Sequence, residues 1–363
     1  MKNDSSFQLS ESTLKKLLKI KKEMGYSKKS WETWFQNIIC ENKPETTEEK
    51  IERIFTKNAI DRYYDEWIKN FSFNLNNINN ESSVRELIPK KNKSKSSSLI
   101  IGRGPSIKKN NHLEILSKSN YKGTILCTDG SLIEVLKAGV TPDKFERFFV
   151  ITIDTQERQK KSYDDPIVKK FGNRINCILS STVSPETYKI IKKSKMKIFW
   201  LHTLVDYDGG KSSFNYIASI MTKTEKNPKG LPAIQTGGNV GTSAWIIAWN
   251  ILKSSHVGLI GIDHGYYTNK RTSDDHYLPK NKDSKNFRKA YPKIYNPIND
   301  VTCIQDPIFQ YYSNALKQFI LKTSKIIQRV LGKSGINIVR KVFGIVLMAI
   351  AVKLFTSNIG QLL

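Results

Sequence analysis

Six short apolar runs, Leu99–Gly102, Thr124–Thr128, Phe148–Asp154, Ile175–Leu179, Lys197–Leu201 and Val257–Asp263, recur along the chain with helical stretches between most of them. Continuous apolar runs of this length belong to strands covered on both faces, and a single helix between successive runs makes neighbouring strands parallel. The expected fold class is therefore α/β: a Rossmann-like, mostly parallel sheet with flanking helices. The intervening segments carry their own signals. Ser184 is an N-cap with Pro185 at the first helical position, which opens a helix over Glu186 to Lys193. The apolar segment Val240 to Leu252 leads directly into the last strand.

At 363 residues the chain exceeds one domain of ~150 residues, and its composition changes along its length. Residues 1–85 read as a small helical module. Ile51, Ile54, Phe55, Ile60, Tyr63, Tyr64, Trp67 and Phe71 recur at the spacing of one helix face, and Thr46 with Glu49 can form a capping box at its start. Thr13–Glu23 and Lys29–Ile39 suggest an earlier helix pair. Asn74 to Ser98 is rich in Asn, Ser and Lys around Pro89, the composition of a connection, so the linker is set at 86–98 and the Rossmann-like domain at 99–320.

The tail, 321–363, differs in kind. No acidic residue follows Asp306, while Lys322, Lys325, Arg329, Lys333, Arg340 and Lys341 precede a nearly uncharged run from Val342 to Leu363 interrupted only by Lys353. That run approaches the ~20 apolar residues needed to span a bilayer, and the basic cluster before it favours a cytoplasmic flank. An amphipathic helix lying on a membrane, or on the domain itself, is the other use of such a sequence. Met1 to Ser10 is polar and lacks an apolar run, so no secretory signal is expected and the main body is placed in the cytoplasm.

The net charge of +26 comes from Lys spread over the whole length. Nucleic-acid binding would call for Arg-rich patches interleaved with aromatics, which are missing, so solvated lysine is the simpler reading. A membrane face or a phosphorylated substrate uses the same charge. Cys40, Cys127, Cys177 and Cys303 are too dispersed for a zinc site and are expected as reduced thiols.

Chemistry concentrates where the strands end. Gly102-Arg103-Gly104-Pro105-Ser106 takes a strand through a Gly-rich turn into a helix, where close backbone approach and free N–H groups attract phosphate. It has neither GxGxxG spacing nor the Lys-Ser/Thr of a Walker loop, and an ordinary tight turn is an equal alternative. Asp129, in Thr128-Asp129-Gly130-Ser131, can cap a helix, or bind ribose or a metal. Asp154 ends the next strand, and the two acids would suit a Mg²⁺ bridging phosphate oxygens. His202 ends a further strand, with Asp206 and Asp208 beyond it. Gly237-Gly238-Asn239 precedes the helix from Val240 and is either a second anion cradle or a close-packing turn. Asp263 and His264 end the last strand together, and His264 is the general acid/base candidate by position.

Taken in order, Gly102-Arg103-Gly104-Pro105-Ser106, Asp129-Gly130, Ala138-Gly139-Val140-Thr141-Pro142-Asp143, Asp154, Thr236-Gly237-Gly238-Asn239-Val240 and Gly261-Ile262-Asp263 resemble the 6-hydroxymethylpterin diphosphokinase MptE-like family over about Ser96 to Ile320. That family also includes the central domain of motility accessory factors. The resemblance implies a nucleotide-dependent transferase: its archaeal pterin enzymes move diphosphate from ATP with Mg²⁺, whereas the motility-factor branch is expected to use a CMP-sugar. Gly102, Gly104 and Ser106 would then hold phosphate, Asp129 and Asp154 ribose or Mg²⁺, and Asp263 with His264 would face a small-molecule acceptor. A non-catalytic nucleotide- or nucleic-acid-binding protein is the alternative of another class. Separately, Leu331–Asn337 followed by Phe343–Val352 resembles the last transmembrane segment of MarC-family proteins, which implies membrane contact.

Overall fold

The computed structural model describes residues 47–90, 96–205, 213–267, 293–296, 301–304 and 308–320, together with Lys19. The anticipated helices Thr13–Glu23 and Lys29–Ile39, the capping residue Thr46, Asp206, Asp208 and the whole tail 321–363 lie outside the described residues. By its contacts the chain divides into two units, Met1–Thr56 and Lys57–Leu363, and the fold below is that of the second.

The central sheet is built from β1 (Ser82–Ser83), β2 (Ser98–Ile101), β3 (Thr124–Thr128), β4 (Phe148–Thr152), β5 (Asn176–Ser180), β6 (Lys197–Thr203), β7 (Ala233–Ile234) and β8 (Val257–Ile260). Its order is β1-β6-β5-β4-β3-β2-β8, with β7 pairing β6 off this path. Every described pair in it is parallel. Each of the six apolar runs becomes a strand, but three stop short of their expected ends. Gly102, Asp154 and Asp263 lie past the last paired residues Ile101, Thr152 and Ile260, so these groups sit on turns beyond the sheet's carboxyl edge.

The double-sided burial has a direct cause in the pleat, which sends successive side chains to opposite faces. Ile101, Ile125, Cys127, Val150, Cys177, Leu179, Ile198 and Trp200 enter one core with Phe71 and Ile78 of the long helix Thr47–Asn80. Ile100, Leu126, Phe149, Ile151, Ile178, Phe199 and Leu201 enter the other, beneath Trp245, Ile247 and Ile251. The latter belong to the helix Val240–Ile246 and the wider π turn Ile247–Ile251 that continues it.

The Asn-rich stretch behaves differently from its composition. The long helix runs to Asn80, Ser82 and Ser83 form an edge strand against Phe199 and Trp200, and residues from Lys57 onward belong to the sheet's own unit. Asn70 Nδ2 donates to the carbonyls of Thr155 (3.2 Å) and Thr182 (3.1 Å), and Asn74 Nδ2 to those of Ser181 (3.1 Å) and Val183 (2.8 Å). Two buried amides thus pin the loops that leave β4 and β5. Glu81, just past the helix, accepts from Tyr188 Oη and Trp200 Nε1, each at 2.9 Å.

A small antiparallel sheet of β9 (Tyr266–Tyr267), β10 (Lys293–Asn296) and β11 (Val301–Ile304) follows, in the order β10-β11-β9. Ser184 caps Pro185–Lys193 by accepting from the Thr187 N–H, as its sequence requires. Among the described residues no helix is long and apolar enough to cross a membrane.

Candidate functional site at the strand-order reversal

From β2 the chain steps outward through β3, β4, β5 and β6, and β8 returns on the opposite side of β2. The loops after β2 and β8 therefore leave in divergent directions from adjacent strands, and in open α/β sheets such a reversal is where ligands bind. Here the two loops are bonded together. The Gly102 N–H donates to the Ile260 carbonyl at 2.9 Å, and the Gly104 N–H to that of Gly261 at 2.8 Å. Glycine is required by this approach: a Cβ on Gly102 would stand 2.2 Å from the Gly261 carbonyl oxygen, and one on Gly104 would stand 1.9 Å from Asp263 Oδ2. Pro105 lies just before the short helix Ser106–Lys109.

That carboxylate oxygen is fixed from the other side by Ser106, whose N–H donates to it at 3.2 Å and whose hydroxyl donates at 2.9 Å. The phosphate-facing and acceptor-facing candidates of the sequence are thus direct partners. Burial pushes the Asp263 carboxyl above its ordinary range, and the two Ser106 bonds oppose that rise. Beside the pair lies a cleft of 250 Å³ lined by Asn110, His112 and the Leu259–Asp263 strand end.

On the turn that follows β3, Asp129 is 6 % exposed. Its Oδ1 accepts from the Gly130 N–H at 2.7 Å and its Oδ2 from Thr152 Oγ1 at 2.8 Å. Thr152 Oγ1 lies 2.6 Å from Tyr163 Oη. The single Thr152 hydroxyl proton is committed to Asp129, so Tyr163 donates and a one-way relay Tyr163→Thr152→Asp129 results. Desolvation raises the Asp129 carboxyl to about 6; the Thr152 bond counters it, and the charge of Asp154 adds to it. Arg103 lies over this turn, with its Cδ 3.3 Å from where a Gly130 Cβ would stand, and its charge favours ionised Asp129.

Asp154 accepts from the Gln156 N–H at 3.1 Å and Gln159 Nε2 at 2.5 Å, and pairs with Arg158 at 3.7 Å. Its charge acts on Asp129, and two such carboxylates, each with lone pairs unused by these bonds, fit a hard cation that completes its shell with phosphate oxygens and water. Among the described residues no group of three or more His, Cys, Asp or Glu could hold a metal.

The other candidates have surroundings of their own. Gly237 and Gly238 take φ of +61° and +81°, and Asn239 caps the following helix by accepting from the Thr242 N–H at 2.9 Å. A Cβ on Gly238 would meet Tyr312 Cε1 at 2.6 Å and Tyr311 Cε1 at 2.8 Å, so aromatic rings from the helix at 308–320 pack over this turn. His264, at φ +46°, lies among Phe309, Tyr312 and Lys317. Burial first, then the Lys317 charge, lowers its imidazole to about 4, so it is neutral at pH 7. His202 is structural: Ser181 Oγ is 2.7 Å from its Nδ1 and Asn215 Oδ1 is 3.0 Å from its Nε2. Because Asn215 Oδ1 also accepts from the Val205 N–H, His202 donates from Nε2 and accepts at Nδ1.

Thr152, Tyr163 and His112 were not singled out by the sequence reading. Thr152 had a readable signal, as a hydroxyl two residues before Asp154 in an otherwise apolar strand. Tyr163, at the end of the turn Glu157–Ser162, and His112, at the start of the helix His112–Lys118, reach the site from separate connections and had none.

The family model described as 6-hydroxymethylpterin diphosphokinase MptE-like matches residues 69–269, beginning inside the long helix and ending after β9. That of the MarC family integral membrane protein matches residues 308–363. No curated protein matches the chain. Among solved structures, that of the MAf glycosyltransferase from Magnetospirillum magneticum AMB-1 is similar, with 15 % identity and a TM-score of 0.42, over 64 % of this chain and 31 % of that one. The chain thus corresponds to about a third of that structure's length.

Proposed function

The chain belongs to the 6-hydroxymethylpterin diphosphokinase MptE-like family, and on that footing we propose that it is a transferase that draws its group from a phosphate-linked nucleotide donor. The observation that carries this reading is the gathering of Ser106 with Asp263, and of Arg103 with Asp129, on the turns that leave β2, β3 and β8 where the strand order reverses. Glycine turns, a guanidinium and two neighbouring acids are what a nucleotide's phosphates and a bridging Mg²⁺ need from a protein.

In the first form of the proposal the donor is ATP and the acceptor a pterin-like or related hydroxyl. The acceptor oxygen attacks the β-phosphorus, the bond between that phosphorus and the oxygen bridging it to the α-phosphorus breaks, and AMP leaves. The hydroxyl proton passes to a carboxylate, a role that Asp263 suits because burial raises its affinity for protons. Mg²⁺ on Asp129 and Asp154 would supply charge neutralisation when bound. A CMP-activated sugar is the second donor, and it would use the same turns.

The test is thermal melting of the full chain with ATP, CTP, CMP and GTP, each with and without Mg²⁺, because a ligand that binds only the native state raises the melting temperature. A Mg²⁺-dependent rise with ATP, followed by AMP release in the presence of a pterin alcohol, is the expected result. A rise confined to CMP and CTP transfers the proposal to the sugar donor. No rise with any nucleotide overturns it.

A further inference from the structure

The helix Phe214–Met221 packs on the body through Phe214 and Ala218, which are 5 % and 2 % exposed. Its remaining apolar residues face outward: Tyr216 is 42 % exposed, Ile217 40 %, Ile220 45 % and Met221 45 %. At 3.6 residues per turn these four occupy one continuous arc, opposite neither core nor any charged side chain of the same helix. Leu204, 43 % exposed, adjoins the helix start, since the N–H of the next residue, Val205, is held by Asn215.

The loop that follows is folded back against this helix. The Lys223 N–H donates to the Ile220 carbonyl at 3.1 Å, and Thr224 and Asn227 exchange backbone bonds of 3.2 and 3.0 Å. The Leu231 N–H donates to Thr222 Oγ1 at 2.9 Å, and a Cβ on Gly230 would stand 2.1 Å from the Ser219 carbonyl oxygen. This ordered turn presents Lys223, Lys226 and Lys229 to solvent, with Glu225 as the only acid among them.

We propose that Tyr216, Ile217, Ile220 and Met221, with Lys223, Lys226 and Lys229, form a docking surface for an anionic lipid bilayer. An outward apolar arc with lysines at one end is the pattern of a helix that lies at the headgroup boundary, its aliphatic side chains entering the acyl region and its cations meeting the lipid phosphates. A second copy of this chain is the poorer occupant, because a net charge of +26 would be set against itself. Nucleic acid satisfies the lysines and leaves the apolar arc in water. The surface is separate from the strand-end site, and the proposal stands whatever group the enzyme transfers.

Hydrogen exchange of the full chain read over residues 213–231 tests it, with vesicles of phosphatidylcholine alone and of phosphatidylcholine with phosphatidylglycerol. The local reading separates this helix from any contribution of the tail. Slower exchange in this stretch with the anionic vesicles, abolished in the double variant Ile217→Asp with Ile220→Asp and reduced at least several-fold by Lys223→Glu with Lys226→Glu, is the expected result. Because all four positions are exposed, the variants keep the fold, which unchanged exchange in β3 and β4 verifies. Unaltered exchange with both vesicles overturns the proposal. So does protection that appears without lipid as the protein concentration rises, which would assign the face to a second copy.

Discussion

Asp263 Oδ2 accepts both the backbone N–H and the hydroxyl of Ser106, at 3.2 and 2.9 Å. The two donors best placed for a ligand's phosphate already hold an anion of the protein's own. Asp263→Asn leaves an oxygen for Ser106 and removes the charge. We expect a larger nucleotide-induced rise in melting temperature than in the parent chain, with transfer abolished. A smaller rise would show that the carboxylate assists the donor instead of competing with it. Asp154→Asn should also abolish transfer with little change in melting temperature in the absence of ligand.

Gly104 leaves no room for a side chain, because its added Cβ would meet Asp263 Oδ2 at 1.9 Å and the Gly261 carbonyl oxygen at 2.8 Å. Gly104→Ala must move the carboxylate or part the two loops. We expect a loss of about 1–3 kcal/mol in urea unfolding, the usual range for overpacking. Gly139→Ala serves as the comparison: its Cβ would find only Ser117 Cβ at 3.6 Å, and its cost would come from its φ of +83° alone.

Stability against pH should show two opposed slopes. The Asp129 carboxyl is raised from 3.8 to about 6, so the folded chain keeps a proton that the unfolded chain gives up. That contribution is full below pH 3.8 and is lost as the pH rises through 6. The His264 imidazole is lowered from 6.5 to about 4, so its contribution is full above pH 6.5 and is lost as the pH falls through 4. Between these limits the two largely offset one another. Asp129→Asn should leave a chain that weakens on acidification and gains on the order of 3 kcal/mol at neutral pH, whereas His264→Gln should leave one that strengthens on acidification. Urea midpoints from pH 4 to 7 check both signs, and parallel curves for the two variants would refute the assignment.

Asn70 and Asn74 each satisfy two buried carbonyls. Asn70→Leu or Asn74→Leu strands them, at roughly 2–4 kcal/mol per variant. Thermal melting measures the loss, and proteolysis should begin in the loops around Thr155 and Thr182.

The strands β2 to β6 were legible because their apolar runs are buried on both faces and need no pairing information to be recognised, whereas β8, legible as the run Val257–Ile260, is only partly covered. Ser82–Ser83 was not legible, since two serines join β6 through backbone bonds that leave no mark on composition. The Asn-rich stretch misled for a related reason. Asn74 sits where an apolar residue would normally pack, and its amide serves carbonyls more than a hundred residues away in the chain. The strand-end acids were found by position. Their partners were not, because the contact of Ser106 with Asp263 depends on β8 returning beside β2, which strand order alone decides. The Gly237-Gly238 turn could be read as a cradle or as a packing turn, and the rings of Tyr311 and Tyr312 that pack over it come from a segment some seventy residues further on.

The direction of the Tyr163→Thr152→Asp129 relay also constrains how this sequence can drift. Valine at 152 would leave the phenol of Tyr163 to the weaker contact with Cys177 Sγ at 4.0 Å and strip Asp129 of its hydroxyl donor in one step, while phenylalanine at 163 would remove only the outer donor. Descendants are therefore free to lose the hydroxyls from the outside inward, tyrosine before threonine, and a lineage that kept Tyr163 after losing Thr152 would carry the most costly of the intermediate combinations.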